Sequence, residues 1–400
     1  MKYRKLLDSN DKIRILFFDH VPFLSGAELS LLDILSVLDR GRYEPLLVLT
    51  GRGPLSDAAE QAGIPVRYVR ISRALLARDR GAIGSSLSGL ILDLFRLTGA
   101  VRELAAIIRR EQAAMVYTNT LKAHVIGGIA GRLCGARVIW HFRDILLQPR
   151  PRRLVVWLGR FLPHRIIAIS RAVAGQFGDI TVRNKVSVVP NGIDHGRIQR
   201  LAALRSRREV IDEFNLPPRC RLVGIVGQIA RWKGQEVFLR AAALVAEQAP
   251  DARFLVIGGT LFNDDGYSRE SLDYAATLGI RDKVIFTGPR DDVYGLMGSL
   301  DILAHCSVEP EPFGRVIVEA MALGVPVAAS DSGAAREIIE TTDQGIVYPA
   351  GDHRRLAAAL LSLLGDRNRA TAMAGQGRQR SLRFGIDRTM AGIETVLRSV

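Results

Sequence analysis

Short apolar segments typical of buried strands alternate with amphipathic helical segments along the chain, and this series starts twice. The first series begins with a strand predicted at residues 13–19 and the second with a strand predicted at residues 222–226. Strands that alternate with helices pair in parallel through right-handed crossovers. A chain of 400 residues exceeds what one core usually supports, so the pattern predicts two consecutive α/β domains. Ligands of such sheets bind beyond the carboxyl ends of the strands, which makes the loops there the first candidates for a site.

The junction between the two domains is predicted just after the turn Pro190-Asn191-Gly192. A polar, arginine-rich stretch follows this turn to about Arg208. We assign residues 1–195 to an N-terminal Rossmann-like domain and residues 196–384 to a C-terminal one. The last helical pattern, in residues 385–400, is expected to cross back and pack on the N-terminal domain.

The positive charge of the chain is concentrated in its first half. Residues 1–200 contain 31 Lys and Arg against 16 Asp and Glu, whereas residues 201–400 contain 24 against 25, which accounts for the net charge of +14. A basic half favours an anionic partner, such as phospholipid headgroups, a lipid-linked phosphate or nucleic acid. In residues 150–161, arginines stand next to Trp157 and branched apolar residues, a pattern typical of a helix at a membrane interface. An ordinary packed helix with an arginine rim fits residues 150–161 equally well. Residues 88–96 are a second candidate for an apolar membrane-facing surface.

Glu311-Pro312-Phe313-Gly314-Arg315 leads into a predicted helix that holds Glu319. The two glutamates are eight positions apart, just over two helical turns, so we expect both to project towards one side. A carboxylate suits sugar hydroxyls because it accepts several charge-assisted hydrogen bonds. Backbone N–H groups at the start of the helix, around Gly314, can receive an anion. Read one at a time, these residues also fit solvated surface glutamates and a core phenylalanine.

A second group of residues, Gly227-Gln228-Ile229-Ala230-Arg231-Trp232-Lys233-Gly234, follows a predicted strand and opens a predicted helix. Arg231 and Lys233 therefore stand where a helix N-terminus would bind a pyrophosphate. Two cations at this point can stabilise the charge that develops on a departing nucleoside diphosphate. The simpler interpretation is a pair of ordinary surface cations at a helix start.

Taken together and in this order, these segments resemble the retaining glycosyltransferases with the GT-B fold (the family 4-like, or group 1, glycosyltransferases), and the resemblance covers nearly all of the chain. Further matching segments are Ser25-Gly26-Ala27-Glu28, Val189-Pro190-Asn191-Gly192-Ile193-Asp194, Glu319-Ala320-Met321-Ala322 and Gly324-Val325-Pro326-Val327. The resemblance implies an α/β architecture of two Rossmann-like domains whose parallel sheets face each other across a cleft. It also implies a retaining, hexosyltransferase-like enzyme that needs no metal and no other cofactor.

The resemblance assigns the nucleotide-sugar donor to the second domain. It implies that Glu319 binds the ribose hydroxyls, that Glu311 binds the transferred sugar, and that Lys233 binds the diphosphate. The remaining donor-binding residues that it implies are Gly26, Gly227, Gln228, Phe313, Gly314 and Arg315.

Three departures from the family pattern bear on the site. The family usually has arginine where this chain has Gln228, so Arg231 is a candidate substitute. Many members have histidine where this chain has Thr118-Asn119-Thr120, and histidine often stands where this chain has Arg143. We therefore expect Asn119, Lys122 and Arg143 to line the acceptor side of the cleft.

His141 is the fourth catalytic candidate, beside Lys233, Arg231 and Glu311. It stands two residues before Arg143 in a predicted strand, so both side chains point to the same side. We expect both to line the cleft, although a structural histidine satisfied within the core fits His141 equally well.

These observations predict transfer of a sugar from a UDP- or GDP-sugar to a glycan or lipid-linked acceptor in polysaccharide or glycolipid biosynthesis. A nucleotide-sugar epimerase or hydrolase of the same fold is one alternative, and a non-catalytic basic anion-binding protein is another. No aromatic-rich nucleic-acid motif accompanies the basic charge, so nucleic acid is not expected as a partner. Three widely spaced cysteines, without metal-ligand spacing, indicate reduced thiols. We therefore expect a cytoplasmic protein that associates peripherally with the inner face of a membrane.

Overall fold

The chain folds into two compact units, each built around its own parallel sheet. The computed structural model describes residues 12–72, 87–260 and 265–400, and of residues 87–96 and 265 it describes the backbone only. The apolar face predicted for residues 88–96 therefore lies outside the described side chains. Unit 1 contains the chain up to Gly192 together with Ile386–Val400, and unit 2 contains Ile193–Gly385.

The sheet of unit 1 has seven parallel strands in the order β3-β2-β1-β4-β5-β6-β7. The strands are β1 (Ile13–Phe18), β2 (Tyr43–Leu49), β3 (Val66–Tyr68), β4 (Met115–Thr118), β5 (Arg137–Phe142), β6 (Arg165–Ala168) and β7 (Val186–Val188). The helices of its described residues are α1 (Gly26–Val37), α2 (Pro54–Gln61), α3 (Leu87–Arg110), α4 (Leu121–Leu133), α5 (Pro149–Gly159), α6 (Arg171–Ala174), α7 (Ile180–Arg183) and the last helix of the chain, α17 (Ile386–Arg398).

Strand β1 shows why the strands of unit 1 are largely apolar. Ile15 and Phe17 pack in a core cluster with residues of α1 and α17, whereas Leu16 and Phe18 pack on the other side with residues of α3 and α4. Successive side chains of a strand point to opposite faces, so a sheet covered on both faces needs apolar residues at most positions. The same packing holds α17 on unit 1.

The sheet of unit 2 has six parallel strands in the order β10-β9-β8-β11-β12-β13. The strands are β8 (Arg221–Val226), β9 (Ala252–Ile257), β10 (Val284–Gly288), β11 (Ile302–His305), β12 (Val327–Asp331) and β13 (Ile346–Pro349). The helices of its described residues are α8 (His195–Ala203), α9 (Arg207–Glu213), α10 (Gln235–Gln248), α11 (Asp265–Thr277), α12 (Val293–Gly298), α13 (Arg315–Ala322), α14 (Ala335–Ile338), α15 (His353–Gly365) and α16 (Arg367–Ser381), with short 3₁₀ turns at Arg231–Lys233 and Leu382–Phe384.

The polar stretch after Gly192 is helical, which the sequence patterns do not predict. Helix α8 begins after Asp194, whose carboxylate accepts a hydrogen bond from the backbone N–H of Arg197 at 2.8 Å. Helix α9 begins after Ser206, which forms a capping box with Glu209. Both helices therefore start at standard N-cap residues, and these caps are the signal that the charge-rich composition obscures.

Candidate functional site

Unit 2 brings a cation and a carboxylate together at the point where the strand order of its sheet reverses. Strand β8 has β9 on one side and β11 on the other, and ligands of α/β sheets bind beyond the strand ends at such a point. Lys233 lies in the 3₁₀ turn after β8, and Glu311 lies in the loop after β11. Their side chains form an ion pair, with Lys233 Nζ 2.7 Å from Glu311 Oε2.

The Glu311 carboxylate is buried and held by several polar groups. Ser307 Oγ donates a hydrogen bond to Glu311 Oε2 at 2.8 Å, and His305 Nε2 lies 3.5 Å from the same oxygen. Burial opposes ionisation of this carboxyl, but the Lys233 ammonium and His305 outweigh it, and the pKa of Glu311 is held below its ordinary value. The carboxylate is therefore ionised at neutral pH, as required of a group that accepts hydrogen bonds from sugar hydroxyls.

Two glycines allow the loops around this pair to approach closely. Gly234 has φ 73° and a Cβ at its position would lie 2.0 Å from the carbonyl oxygen of Cys306. Gly333, with φ 66°, would place a Cβ 2.1 Å from the carbonyl oxygen of Glu311. A side chain at position 234 would push the Lys233 turn away from the segment after β11, and one at position 333 would push the loop after β12 away from Glu311.

Glu319 lies in a hydrogen-bonded group separate from that of Glu311, and the helical spacing used to place both carboxylates on one side does not apply to Glu311. The helix α13 begins only at Arg315, after Gly314 with φ 90°, and Glu311 lies outside it. Arg315 Nε donates to Glu319 Oε1 at 2.6 Å, and the hydroxyl of Tyr294 donates to the same oxygen at 3.1 Å. Sequence reasoning missed Tyr294, because the contact joins α12 to α13 and leaves no local pattern.

Phe313 belongs to the core of unit 2. It is buried, and its ring packs edge-on against Phe384 with 5.8 Å between the ring centroids. The side chain therefore anchors the loop before α13.

Arg231 does not join the Lys233–Glu311 pair. Its guanidinium forms an ion pair with Glu270 and lies 4.8 Å from the centre of the Tyr267 ring, and the side chain is 70% exposed. Arg231 and Lys233, which were expected side by side, therefore have different partners. Arg231 is bound by an acidic and an aromatic residue of α11, whereas Lys233 pairs with Glu311.

Gln228 and Gly227 form the turn that leaves strand β8. Gly227 has φ 145°, and the carbonyl of Gln228 accepts a hydrogen bond from Gln235 Nε2 at 2.9 Å. This bond ties the turn after β8 to the first residue of α10.

Unit 1 has a buried polar network at the carboxyl ends of its central strands. Arg143, just after β5, donates hydrogen bonds to Asn119 Oδ1 at 2.6 Å, to Asn191 Oδ1 at 2.7 Å and to Ser30 Oγ at 3.1 Å. Arg143 and Asn119 are only 6% and 1% exposed. The expectation that both side chains line the surface of a cleft is therefore wrong. The network instead joins the loops after β4, β5 and β7 to helix α1.

His141 is also buried, with no exposed surface. Its Nδ1 lies within hydrogen-bond distance of the Tyr117 hydroxyl and 3.1 Å from Arg143 Nη2. Burial, together with the positive charge of Arg143, lowers the pKa of His141 well below its ordinary value. The expectation of a cleft-lining histidine is therefore wrong, and His141 is a neutral core residue that supports Arg143.

Asp19, directly after β1, is a candidate functional-site residue that the sequence analysis did not identify. It is completely buried and accepts hydrogen bonds from Asn119 Nδ2 at 2.8 Å and from the backbone N–H of Val21 at 3.0 Å. Burial and the nearby Glu28 carboxylate raise the pKa of Asp19 to about 7. Its position at the end of β1, next to β4, was the available signal, since the sheet order reverses between these strands.

Gly26 and Lys122 stand at the starts of two helices of unit 1. Gly26 is the first residue of α1 and is exposed, with nothing within 4 Å of a Cβ built on it. Nothing within unit 1 therefore requires glycine there. Lys122 lies in the first turn of α4 and is half-buried.

The part of the chain that the structure describes contains neither a cluster of metal ligands nor a membrane-spanning helix. Within residues 12–72, 87–260 and 265–400, no three His, Cys, Asp or Glu side chains are grouped so that they could hold a metal ion. Among the described helices, none combines the length and the apolar character needed to cross a membrane.

Family comparisons match both halves of the chain. The model of the glycosyl transferases group 1 matches residues 206–380, and the model of glycosyltransferase family 4 matches residues 24–197.

Two curated relatives illustrate the similarity. The 2-deoxystreptamine glucosyltransferase of Streptomyces kanamyceticus is 30% identical over 335 residues, 78% of this chain and 83% of that protein. A D-inositol 3-phosphate glycosyltransferase of Salinispora arenicola is 29% identical over 260 residues, 62% of this chain and 57% of that protein, so the match spans little more than half of that relative.

Among solved structures, Anabaena HepE in complex with UDP-glucose superimposes with a TM-score of 0.82 and 28% identity, covering 97% of this chain and all of that one. WaaG, a glycosyltransferase involved in lipopolysaccharide biosynthesis, superimposes with a TM-score of 0.68 at 17% identity, a likeness of fold.

Proposed function

Because the chain belongs to the group 1 glycosyltransferases and has their GT-B fold, we propose that it transfers a hexose from a UDP-sugar to a glycan or lipid-linked acceptor with retention of anomeric configuration. The observation that carries this proposal is the buried Lys233–Glu311 pair at the strand ends of unit 2. The preference for UDP over GDP rests on HepE, which binds UDP-glucose and matches over 97% of this chain. UDP-glucose is the first donor to test.

Each polar group of the unit 2 site has a proposed partner on the donor. The Lys233 ammonium has three N–H donors, of which Glu311 takes one, and the others are proposed to bind the diphosphate. Glu311 is proposed to accept hydrogen bonds from hydroxyls of the transferred hexose. Glu319, oriented by Arg315 and Tyr294, is proposed to bind the ribose hydroxyls.

The proposed reaction exchanges one bond at the anomeric carbon for another on the same face of the sugar. The bond from this carbon to the β-phosphate oxygen of UDP breaks, and a bond from an acceptor hydroxyl oxygen forms. The hydroxyl proton passes to the departing β-phosphate, so that the products are UDP and a glycoside. Lys233 stabilises the charge that develops on the phosphate, and no step is assigned to His141, whose side chain is buried and neutral.

We propose that the reaction needs no metal, because the Lys233 ammonium at the start of α10 supplies positive charge and backbone donors where the diphosphate would lie. We also place the reaction in the cytoplasm, since Cys134, Cys220 and Cys306 are all free thiols, as is usual in a reducing compartment.

The stereochemical course can be tested without knowing the acceptor, because slow hydrolysis uses water in its place. UDP-glucose is incubated with the protein in EDTA, and the released glucose is followed by proton NMR before its anomers equilibrate. We expect α-glucose first. Initial release of β-glucose would overturn retention, and hydrolysis of GDP-sugars only would overturn the donor assignment.

Two lysine variants of unit 2 provide the matched comparison. Lys233→Met removes the proposed phosphate ligand, whereas Lys283→Met removes the same charge from a lysine that donates to the backbone carbonyl of Ala246. We expect the first variant to lose donor hydrolysis and the second to retain it. Equal rates in both would remove Lys233 from the site.

A further inference from the structure

Helix α5 of unit 1 and the turn that follows it present a row of large apolar side chains to solvent. Leu154, Trp157 and Phe161 are 44%, 52% and 56% exposed, and their spacing of three and four positions places them along one side of the helical turns. The residues that α5 buries, Val155 and Gly159, lie on the opposite side. The apolar row is therefore additional to the face that holds the helix in the fold.

Trp157 and Phe161 also contact each other at the surface. Their ring centroids are 5.4 Å apart in an edge-on arrangement. Two aromatic rings packed together and left half exposed form a contiguous apolar surface, which single exposed residues do not.

Arginines surround this row, and most of them have no acidic partner. Arg150, Arg152 and Arg153 form no ion pair with any carboxylate of the described residues, whereas Arg160 pairs with Asp179. Arg152, Arg153 and Arg160 line an open groove of about 490 Å³ that also contains Trp157.

We propose that this surface, formed by the apolar row and the arginines Arg150, Arg152 and Arg153, binds the face of a bilayer that contains anionic phospholipids. Trp and Phe enter the interface between headgroups and acyl chains, and cations beside them attract anionic headgroups. Charge complementarity alone would also suit a soluble polyanion, but such a partner makes no use of exposed Leu154, Trp157 and Phe161. The proposal concerns unit 1 only and is independent of the donor site in unit 2.

The test is co-sedimentation of the full chain with vesicles of phosphatidylcholine, with and without about a third of phosphatidylglycerol. We expect binding only to the mixed vesicles, weakened by salt. Replacing Trp157 and Phe161 with serine should reduce binding by about tenfold for each ring removed from the interface. Leu133→Ser is the control, since Leu133 is a 64% exposed leucine of the same unit, and it should leave binding unchanged.

A second comparison isolates the charge. Arg150→Gln with Arg153→Gln should reduce binding to the mixed vesicles roughly 30-fold, since each arginine near an anionic surface contributes about fivefold. Arg102→Gln with Arg109→Gln removes two exposed arginines from another helix of unit 1 and should reduce it much less. Equal losses in the two pairs would overturn the surface assignment.

Trp157 itself reports the depth of insertion. Brominated acyl chains should quench its fluorescence in bound protein, and Trp157→Phe should abolish the quenching while largely retaining binding. A surface that binds mixed vesicles and heparin alike, with no effect of the serine variant and no quenching, would overturn the membrane proposal in favour of a soluble polyanion. An unchanged melting temperature and circular dichroism spectrum in every variant check that the protein is folded.

Discussion

Replacing Lys233 with methionine leaves the Glu311 carboxylate buried without its counterion. The two side chains are 17% and 11% exposed and 2.7 Å apart, so little water can replace the ammonium. Removing one partner of a buried ion pair destabilises a protein by about 3–5 kcal/mol. Ser307 still donates a hydrogen bond to the carboxylate, which places the expected loss at the lower end of this range.

Protonation of Glu311 limits the part of that loss that depends on pH. A carboxyl with an unfolded pKa of about 4.3 can take up a proton at roughly 1.36 kcal/mol per pH unit, which amounts to about 3.7 kcal/mol at pH 7 and about 1 kcal/mol at pH 5. In the wild type, the pKa of Glu311 is lowered in the fold, so its contribution is fully present above the unfolded pKa and is lost only below it. The wild-type contribution is therefore constant between pH 5 and 7, and the variant alone changes.

Hydrogen exchange of the most protected amides of β8 measures this loss within unit 2. We expect Lys233→Met to lower the free energy of opening by about 3–4 kcal/mol at pH 7 and by about 1 kcal/mol at pH 5. The double variant Lys233→Met with Glu311→Gln, which removes both charges, should be more stable at pH 7 than the single variant. A loss below about 1 kcal/mol at pH 7, or the same loss at both pH values, would refute the buried ion pair.

Three further predictions concern other parts of the two units. Tyr294→Phe removes one hydrogen bond to Glu319 and should raise KM for the UDP-sugar about fivefold with little change in kcat; an unchanged KM would contradict the role of Tyr294 in orienting that carboxylate. The Asp19 carboxyl should titrate near pH 7 by ¹³C NMR, because burial raises its pKa to about 7. The free energy of unfolding of unit 1 should then fall by up to about 4 kcal/mol as the pH rises from the unfolded pKa of about 3.9 to the folded pKa, and stay level above it; a midpoint below pH 5 would argue against it. Gly234→Ala should lower the unfolding free energy by about 3 kcal/mol or more. Gly279→Ala, at a similar φ with open space around it, should lower it by about 1–2 kcal/mol. Thermal unfolding distinguishes the two variants, and equal losses would rule out the tight loop contact.

The sheet of each unit could be predicted from sequence because its strands are apolar on both faces. Strand β1 is buried except at Arg14, and such nearly continuous apolar segments between helical patterns are typical of parallel sheets. The helices α8 and α9 were not predicted, since their composition is polar and the information lies in two N-caps, Asp194 and Ser206.

Residues of the candidate site could be predicted where they belong to a sequence motif. They could not be predicted where their environment depends on contacts between elements that are distant in the chain. Glu311 and Lys233 stand in motifs, but their ion pair joins positions 78 residues apart. The burial of His141 and Arg143 and the high pKa of Asp19 depend on how the loops of four strands pack together. One sequence contains no signal for such packing beyond the placement of each residue at a strand end.

Calorimetric titration of the wild-type protein with UDP, in EDTA and with GDP as the comparison, tests the central claim most directly. The account predicts that UDP binds without metal, that GDP binds much more weakly, and that Lys233→Met removes most of the UDP binding while Lys283→Met retains it. UDP binding that is absent, or that is the same in the two lysine variants, would contradict a donor site built around the Lys233–Glu311 pair.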